Sequence, residues 1–399
     1  MTVSTVLRKR LLIVHSSAEL YGSDRSLLDF VSLQRGGFEV TVLLPEDGPL
    51  VALLRNAGAR VVIGEVCKVQ RSMLGLSGLL RTLAATWRAL RDIRRLAGDR
   101  PFDLVYTNTV AVFAGAAYAL VSRRPHVWHV REILAGSPTL SRAFRATVSA
   151  LSRVIICNSH QTRDWIALPR SRERCRVVWN GVAVAAPQGR RVAERQQRGW
   201  RDDTVVFALA GRLNAWKGQP LALQAFEQLH AELGERVALW LVGSPFAGQE
   251  HFEQALTAQL QASSARGAAR LEPFRPDVEA VWEAADVVLV PSTEPEPFGR
   301  VAIEAMAYGR PVIAAAHGGL LDIVTDGDSG LLVPPRDAQA LAAAMRRLAT
   351  DAGLRARLGA QAQARQQQVF SVHAYVQGVT RALQEAIDSA APVRGATHP

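Results

Sequence analysis

The chain is short of cysteine and lysine and has no long apolar run, and each shortage excludes something. Its 399 residues hold three cysteines, Cys67, Cys157 and Cys175. The number is odd and no two stand at metal-ligand spacing, which argues against a disulfide framework and fits a reducing cytoplasm. Cys157 lies in an apolar run and is expected to pack as a small hydrophobe. Lysine occurs only at Lys9, Lys68 and Lys217, so the net charge of +11 is carried almost wholly by arginine. No apolar run reaches the ~18–20 residues that cross a bilayer. Arg8, Lys9 and Arg10 precede Leu11–Val14 in signal-peptide order, but the run is short and no small-residue cleavage site follows. A buried first strand is expected there instead. H-E-x-x-H, G-x-x-x-x-G-K-[ST], G-x-S-x-G and C-x-x-C are all absent, so metalloprotease, P-loop ATPase and serine hydrolase readings lack support.

What is present is a long alternation of short apolar, β-branched runs with helical patterns, the mark of parallel α/β architecture. Strands are expected at Leu11–His15, Glu39–Leu44, Arg60–Ile63, Asp103–Thr107, His126–Val130, Val154–Asn158 and Arg176–Trp179. The pattern breaks over residues 184–203, a polar, arginine-rich stretch. A second series follows at Thr204–Ala210, Val237–Val242, Leu271–Phe274, Asp286–Val290, Pro311–Ala315 and Gly330–Val333. Helices fit between, notably Leu221–Leu233, Val278–Ala285 and Ala338–Leu348, with a last one near His373–Ile387 and a frayed tail from Ala390. The length asks for two domains. The expected division is a Rossmann-like domain over 1–183, a second over 184–372, and a C-terminal helix and tail over 373–399. Two such domains facing across a cleft bring the C-terminal ends of both sheets to a shared site, where open α/β sheets bind ligands.

Two segments carry the chemistry. Directly after the strand Thr204–Ala210 comes Gly211-Arg-Leu-Asn-Ala-Trp-Lys-Gly218. Arg212 and Lys217 can flank a diphosphate while glycine lets the backbone approach it. In an arginine-rich chain, a lysine at this place stands out from the ordinary surface cations. The second segment runs from Pro291 through three prolines into a helix near Gly299. Phe298, Gly299 and Arg300 offer backbone N–H groups at a helix N-terminus, a natural phosphate seat. Glu296 lies in the loop and Glu304 in the opening turns of the helix, where carboxylates can accept sugar hydroxyls. Near the N-terminus, Gly22 stands between strand and helix without G-x-G-x-x-G, which weakens a dinucleotide reading but permits phosphate approach. His126-Val-Trp-His-Val-Arg-Glu132 ends a strand, and alternation sends His129 and Arg131 to one face.

The run Glu296–Glu304 resembles the E-x7-E motif of retaining GT-B glycosyltransferases, specifically glycosyltransferase family 4. The Gly-Arg-Leu-x-x-x-Lys-Gly loop, Gly318-Gly319 and Asp326-Gly-Asp-Ser-Gly-Leu-Leu-Val-Pro-Pro335 are also similar to that family. Leu320-Leu321-Asp322 departs from it, where members often carry an apolar residue, proline and glutamate. The resemblance implies the GT-B fold, with an N-terminal acceptor domain, a C-terminal nucleotide-sugar domain, and a final helix that packs back on the N-terminal domain. It further implies a retaining hexosyl transfer without a metal or other cofactor. The donor is a nucleotide diphosphate sugar and the acceptor a saccharide or a lipid-linked molecule. On this reading His129 lies beside the reacting sugar, Glu296 contacts its hydroxyls, and Arg212 and Lys217 hold the diphosphate. Gly22, Phe298, Gly299, Arg300 and Glu304 complete the donor site, Glu304 at the ribose. The rival readings are a GT-B sugar-nucleotide epimerase and a catalytically silent GT-B binding protein.

Other patterns are plainer. Asn158-Ser159 and Asn180-Gly181 suit turns. Asp326-x-Asp328 matches the metal-binding D-x-D pattern, yet its Asp-Gly-Asp-Ser-Gly context favours a turn. The arginines of the helix near Arg81–Arg95, with Arg142 and Arg145, suit contact with an anionic membrane, so the expected place is cytoplasmic and peripheral to the membrane. No nucleic-acid partner is expected.

Overall fold

The computed structural model describes residues 8–34, 37–68, 76–134, 138–183 and 186–389. The tail from Ala390 and the first two residues of the polar break, 184 and 185, lie outside this set. The chain forms two compact units, residues 1–180 with 372–399, and residues 181–371.

The first unit holds seven strands: β1 (Lys9–Val14), β2 (Phe38–Leu44), β3 (Arg60–Ile63), β4 (Leu104–Thr107), β5 (His126–Val130), β6 (Val154–Cys157) and β7 (Cys175–Val177). They form a parallel sheet in the order β3-β2-β1-β4-β5-β6-β7, with Leu11 of β1 opposite Val40 on one side and Leu104 on the other. Helices cover both faces, so strands such as Leu11–Val14 are wholly buried, which explains their unbroken apolar runs. The helix Val372–Asp388 belongs to this unit. Its Tyr375, Val376, Val379 and Leu383 join a core with Leu27, Phe30 and Ile156. The Arg176 guanidinium holds Glu385 from two nitrogens at 2.9 and 2.6 Å.

The second unit holds β8 (Val205–Ala210), β9 (Val237–Val242), β10 (Ala269–Glu272), β11 (Val287–Val290), β12 (Val312–Ala315) and β13 (Gly330–Val333). The sheet is parallel in the order β10-β9-β8-β11-β12-β13. Both sheets are therefore doubly wound, with order reversing between β1 and β4 and between β8 and β11. Those two places are where loops from neighbouring strands diverge and leave room for a ligand.

Three local expectations need correcting. Strand β10 begins and ends two residues before the expected Leu271–Phe274. Pro273 has no N–H to continue the ladder, whereas the buried Ala269 pairs with Leu239. The arginine-rich stretch, expected as a polar break within the second domain, contains a helix, Arg191–Gln197. Arg195 is 1% exposed; its guanidinium donates to the carbonyls of Ala284, Asp202 and Thr204 and to the Asp286 carboxylate at 2.6 Å. Arg190 does the same for Glu283 at 2.8 Å. The helix Ala352–Val369 was not legible in the apolar pattern. Asp351 caps it by accepting from the Leu354 N–H at 2.8 Å, and Gly359 lets it approach the Gly309 carbonyl.

Two interior histidines give the first unit a pH dependence. His126 is buried between the Thr107 hydroxyl at 2.8 Å and the Leu151 carbonyl at 2.9 Å, and burial pushes its pKa down to about 4. Burial, then Arg131, holds His129 well below the usual histidine range. Both are neutral in the fold and take up protons once unfolded. Stability is therefore fully present above pH ~6.5 and falls as the pH drops toward 4. His126 alone accounts for about 3 kcal/mol across that window. Thermal unfolding of wild type and His126→Gln between pH 4 and 7 should show a shallower slope for the variant.

Candidate functional site

In the second unit the order reversal sets the loop after β8 beside the loop after β11. The first loop turns on Asn214, whose side-chain carbonyl accepts the N–H groups of Trp216 and Lys217 at 3.1 and 3.0 Å. Gly218 follows at φ +81°, where L side chains are strained, and a Cβ there would run into the Pro291 carbonyl. The Thr293 N–H donates to the Trp216 carbonyl at 2.7 Å, closing the joint between the loops.

Across this joint the Lys217 ammonium meets the Glu296 carboxylate at 2.7 Å. The same carboxylate oxygen accepts from the Ser292 hydroxyl at 2.6 Å. Glu296 is 4% exposed, so its charge rests on these partners rather than on water. A second layer holds the loop. His317 donates from Nε2 to the Ser292 carbonyl at 2.8 Å, and the Gly319 N–H donates to the Glu296 carbonyl at 2.7 Å. Gly318 is in the left-handed region at φ +64° and lies against the Glu296 backbone, where a side chain would not fit.

Beyond Glu296 the chain passes Gly299, at φ +107° and tight against Leu320, into the helix Arg300–Ala307. The Phe298 ring is buried and faces Phe370 edge-on. One turn into the helix, Glu304 accepts from Arg300 at 2.8 Å. Arg212 projects from the start of the first loop with its guanidinium 3.0 Å from the Phe246 ring centroid. Lys217 and Glu296 are thus brought together, Arg300 and Glu304 form a second pair one helical turn on, and Arg212 stacks on an aromatic ring. The two loops and the helix start carry three cations and two carboxylates, a net positive charge that favours an anionic ligand.

Sequence reasoning missed Ser292, His317 and Asn214, which hold the loops rather than carry charge. Asp326 and Asp328 lie in a turn, as expected. The Asp326 carboxylate accepts from the Leu332 N–H at 2.9 Å, and Gly327 has φ +73°. Among the described residues no group of three His, Cys, Asp or Glu side chains is gathered to hold a metal ion.

In the first unit Gly22 is exposed at the start of the helix Gly22–Leu33. A buried polar chain lies behind it. The Asp24 carboxylate receives His15 Nε2 at 2.6 Å and the Tyr21 N–H at 2.9 Å. His15 reaches Asn108, which accepts from the Tyr106 hydroxyl and from Arg131. The Tyr106 hydroxyl also lies 2.7 Å from His129 Nδ1. His129 is fully buried, and its Nε2 has no hydrogen-bond partner. Arg131 also donates to Asn180 at 2.6 Å and to the Tyr375 hydroxyl at 2.7 Å.

This architecture, two units each built on a parallel sheet whose strand order reverses once, defines a doubly wound, Rossmann-like α/β protein. Residues 22–186 match the family described as Glycosyltransferase Family 4, and residues 191–365 match Glycosyl transferases group 1. The chain belongs to the family 4 glycosyltransferases of the GT-B fold. It is 36% identical over 221 residues to the D-inositol 3-phosphate glycosyltransferase of Kribbella flavida, covering 53% of this chain and 51% of that protein. The corresponding Nocardioides protein is 40% identical over 200 residues, covering 47% and 43%. The chain spans about half the length of these curated relatives. Among solved structures, Anabaena Alr3699/HepE in complex with UDP-glucose superposes with a TM-score of 0.80 at 27% identity, over 94% of this chain and 99% of that one.

Proposed function

We propose that this chain transfers a hexose from a nucleoside diphosphate sugar, UDP-glucose being the first donor to test, to a saccharide or lipid-linked acceptor with retention of configuration. The observation that carries this reading is the Lys217–Glu296 pair, 2.7 Å apart at the reversal point between β8 and β11. The UDP-glucose complex of Alr3699/HepE supports the choice of donor.

As the bond between sugar and diphosphate lengthens, charge grows on the departing oxygen. Lys217 and Arg212, with the start of the helix Arg300–Ala307, stabilise that charge more than the ground state. Glu296 orients sugar hydroxyls and Glu304 the ribose. The departing phosphate takes the acceptor's proton on the same face, which preserves the anomeric configuration. The chain's own cations then carry the leaving-group charge, and no metal or other cofactor is called for. His129 is neutral and adds no charge. The enzyme would act at the cytoplasmic side of a membrane, peripherally bound through basic surface of the first unit.

Thermal shift with UDP-, GDP- and ADP-sugars, with and without EDTA, tests the donor assignment. The matching donor at 100 times its Kd stabilises the fold by about 2.7 kcal/mol, and EDTA leaves the shift unchanged. Glu304→Ala should need a higher donor concentration for the same shift. Release of an altered nucleotide sugar without acceptor would indicate an epimerase. Donor binding with neither transfer nor hydrolysis would indicate a binding protein.

A further inference from the structure

The helix Leu76–Ala97 has a buried face and an exposed face of unusual composition. Ala85, Ala89, Ile93 and Ala97 recur at intervals of four and pack into the core beside Leu12 and Val105. On the opposite side Leu80, Leu83 and Trp87 are 64%, 58% and 62% exposed. At 100° per residue these three fall within one narrow sector. Arg91, Arg95, Arg88 and Arg81 fall in the adjoining sector, with Arg94 at the C-terminal end of the apolar stripe. Asp92 is the single acidic residue of the helix. The Arg91 guanidinium stands 5.3 Å from the centre of the Trp87 ring, and Trp87, Leu90, Arg91, Arg94 and Arg95 line a shallow hollow.

Resting on the peripheral-membrane reading above, we infer that this helix is the docking element: Leu80, Leu83 and Trp87 enter the interface of an anionic bilayer while the arginines hold its headgroups. An apolar stripe beside a cationic one is the pattern of a helix lying in the plane of a membrane surface. Tryptophan suits that depth because one edge of its ring is apolar and the other donates a hydrogen bond. A second copy of this chain is a poor occupant, since it would set arginines against arginines. Nucleic acid would satisfy the arginines and leave the stripe in water. Among the described residues no helix is long and apolar enough to cross a membrane, so binding through this face is peripheral.

The test is flotation of the full chain with vesicles of phosphatidylglycerol and phosphatidylcholine in equal parts, and with phosphatidylcholine alone. Wild type should float only with the anionic vesicles. Leu83→Ser/Trp87→Ser should bind at least tenfold more weakly, since two apolar side chains no longer leave water. Arg91→Gln, Arg94→Gln and Arg95→Gln should each cost about fivefold. All five positions are exposed, and an unchanged thermal shift with UDP-glucose would show that the variants are folded. If wild type floats and Leu83→Ser/Trp87→Ser floats equally well, this helix is not the docking element, although membrane binding stands. If wild type floats with neither vesicle, or binds heparin or single-stranded DNA instead, the membrane reading falls and this inference with it.

Discussion

Lys217→Ala is expected to lower turnover by about 10² to 10³, equivalent to about 2.7–4 kcal/mol of lost transition-state stabilisation. The ammonium is fixed 2.7 Å from the Glu296 carboxylate, and on the proposed mechanism alanine would leave the departing diphosphate without it. The same change removes one of the two groups bound to Glu296, which is 4% exposed and keeps the Ser292 hydroxyl. Because Lys217 itself is about one-fifth exposed, the stability cost stays below that of a fully buried pair, at about 1–3 kcal/mol. Rates of UDP-glucose hydrolysis without acceptor, measured beside thermal unfolding, separate the two effects. Lys217→Arg keeps the charge but spreads it over a planar group, and should recover part of the rate. Wild-type rates for both Lys217→Ala and Glu304→Ala would remove the assigned site.

The second large effect is on the joint itself. Gly218→Ala should destabilise the second unit by about 2–5 kcal/mol, combining left-handed strain of about 1–2 kcal/mol with the cost of forcing a Cβ against the Pro291 carbonyl. A domain of this size loses about 2–4 °C in Tm per kcal/mol, so a fall of several degrees is expected. Gly248→Ala is the control, because Gly248 has the same φ of +81° with nothing within 4 Å of the added carbon. It carries the backbone strain alone. Equal losses from the two variants would show that the loop contact contributes nothing. A larger loss at Gly218, with weaker binding of UDP-glucose, would tie the joint to the donor site.

The sites of these two variants were legible because their chemistry is local. Gly211, Arg212, Lys217 and Gly218 crowd one loop after one strand, and Glu296 and Glu304 flank one helix start. Their partners were not legible. Ser292 and His317 bind Glu296 and its loop through contacts that depend on which strands become neighbours, not on spacing. His15, Asp24 and Asn108 converge for the same reason, since β1 and β4 lie side by side although 93 residues separate His15 from Asn108. Arg195 misled in the other direction. A buried guanidinium reads in sequence like any solvated one, and only its ring of carbonyls and Asp286 distinguishes it.

The sequence by itself determined the presence and order of the strands, their parallel arrangement and the two loops that bear charge, though not every strand's bounds. The reason is that strands buried on both faces must be apolar throughout and that glycines are required at tight loops. Tertiary structure alone decided that Lys217 would neutralise Glu296 and that a stripe of Leu80, Leu83 and Trp87 would remain in water. Pairing and exposure depend on what the rest of the fold brings near a residue, and that information is not carried by the residue's own neighbours in sequence.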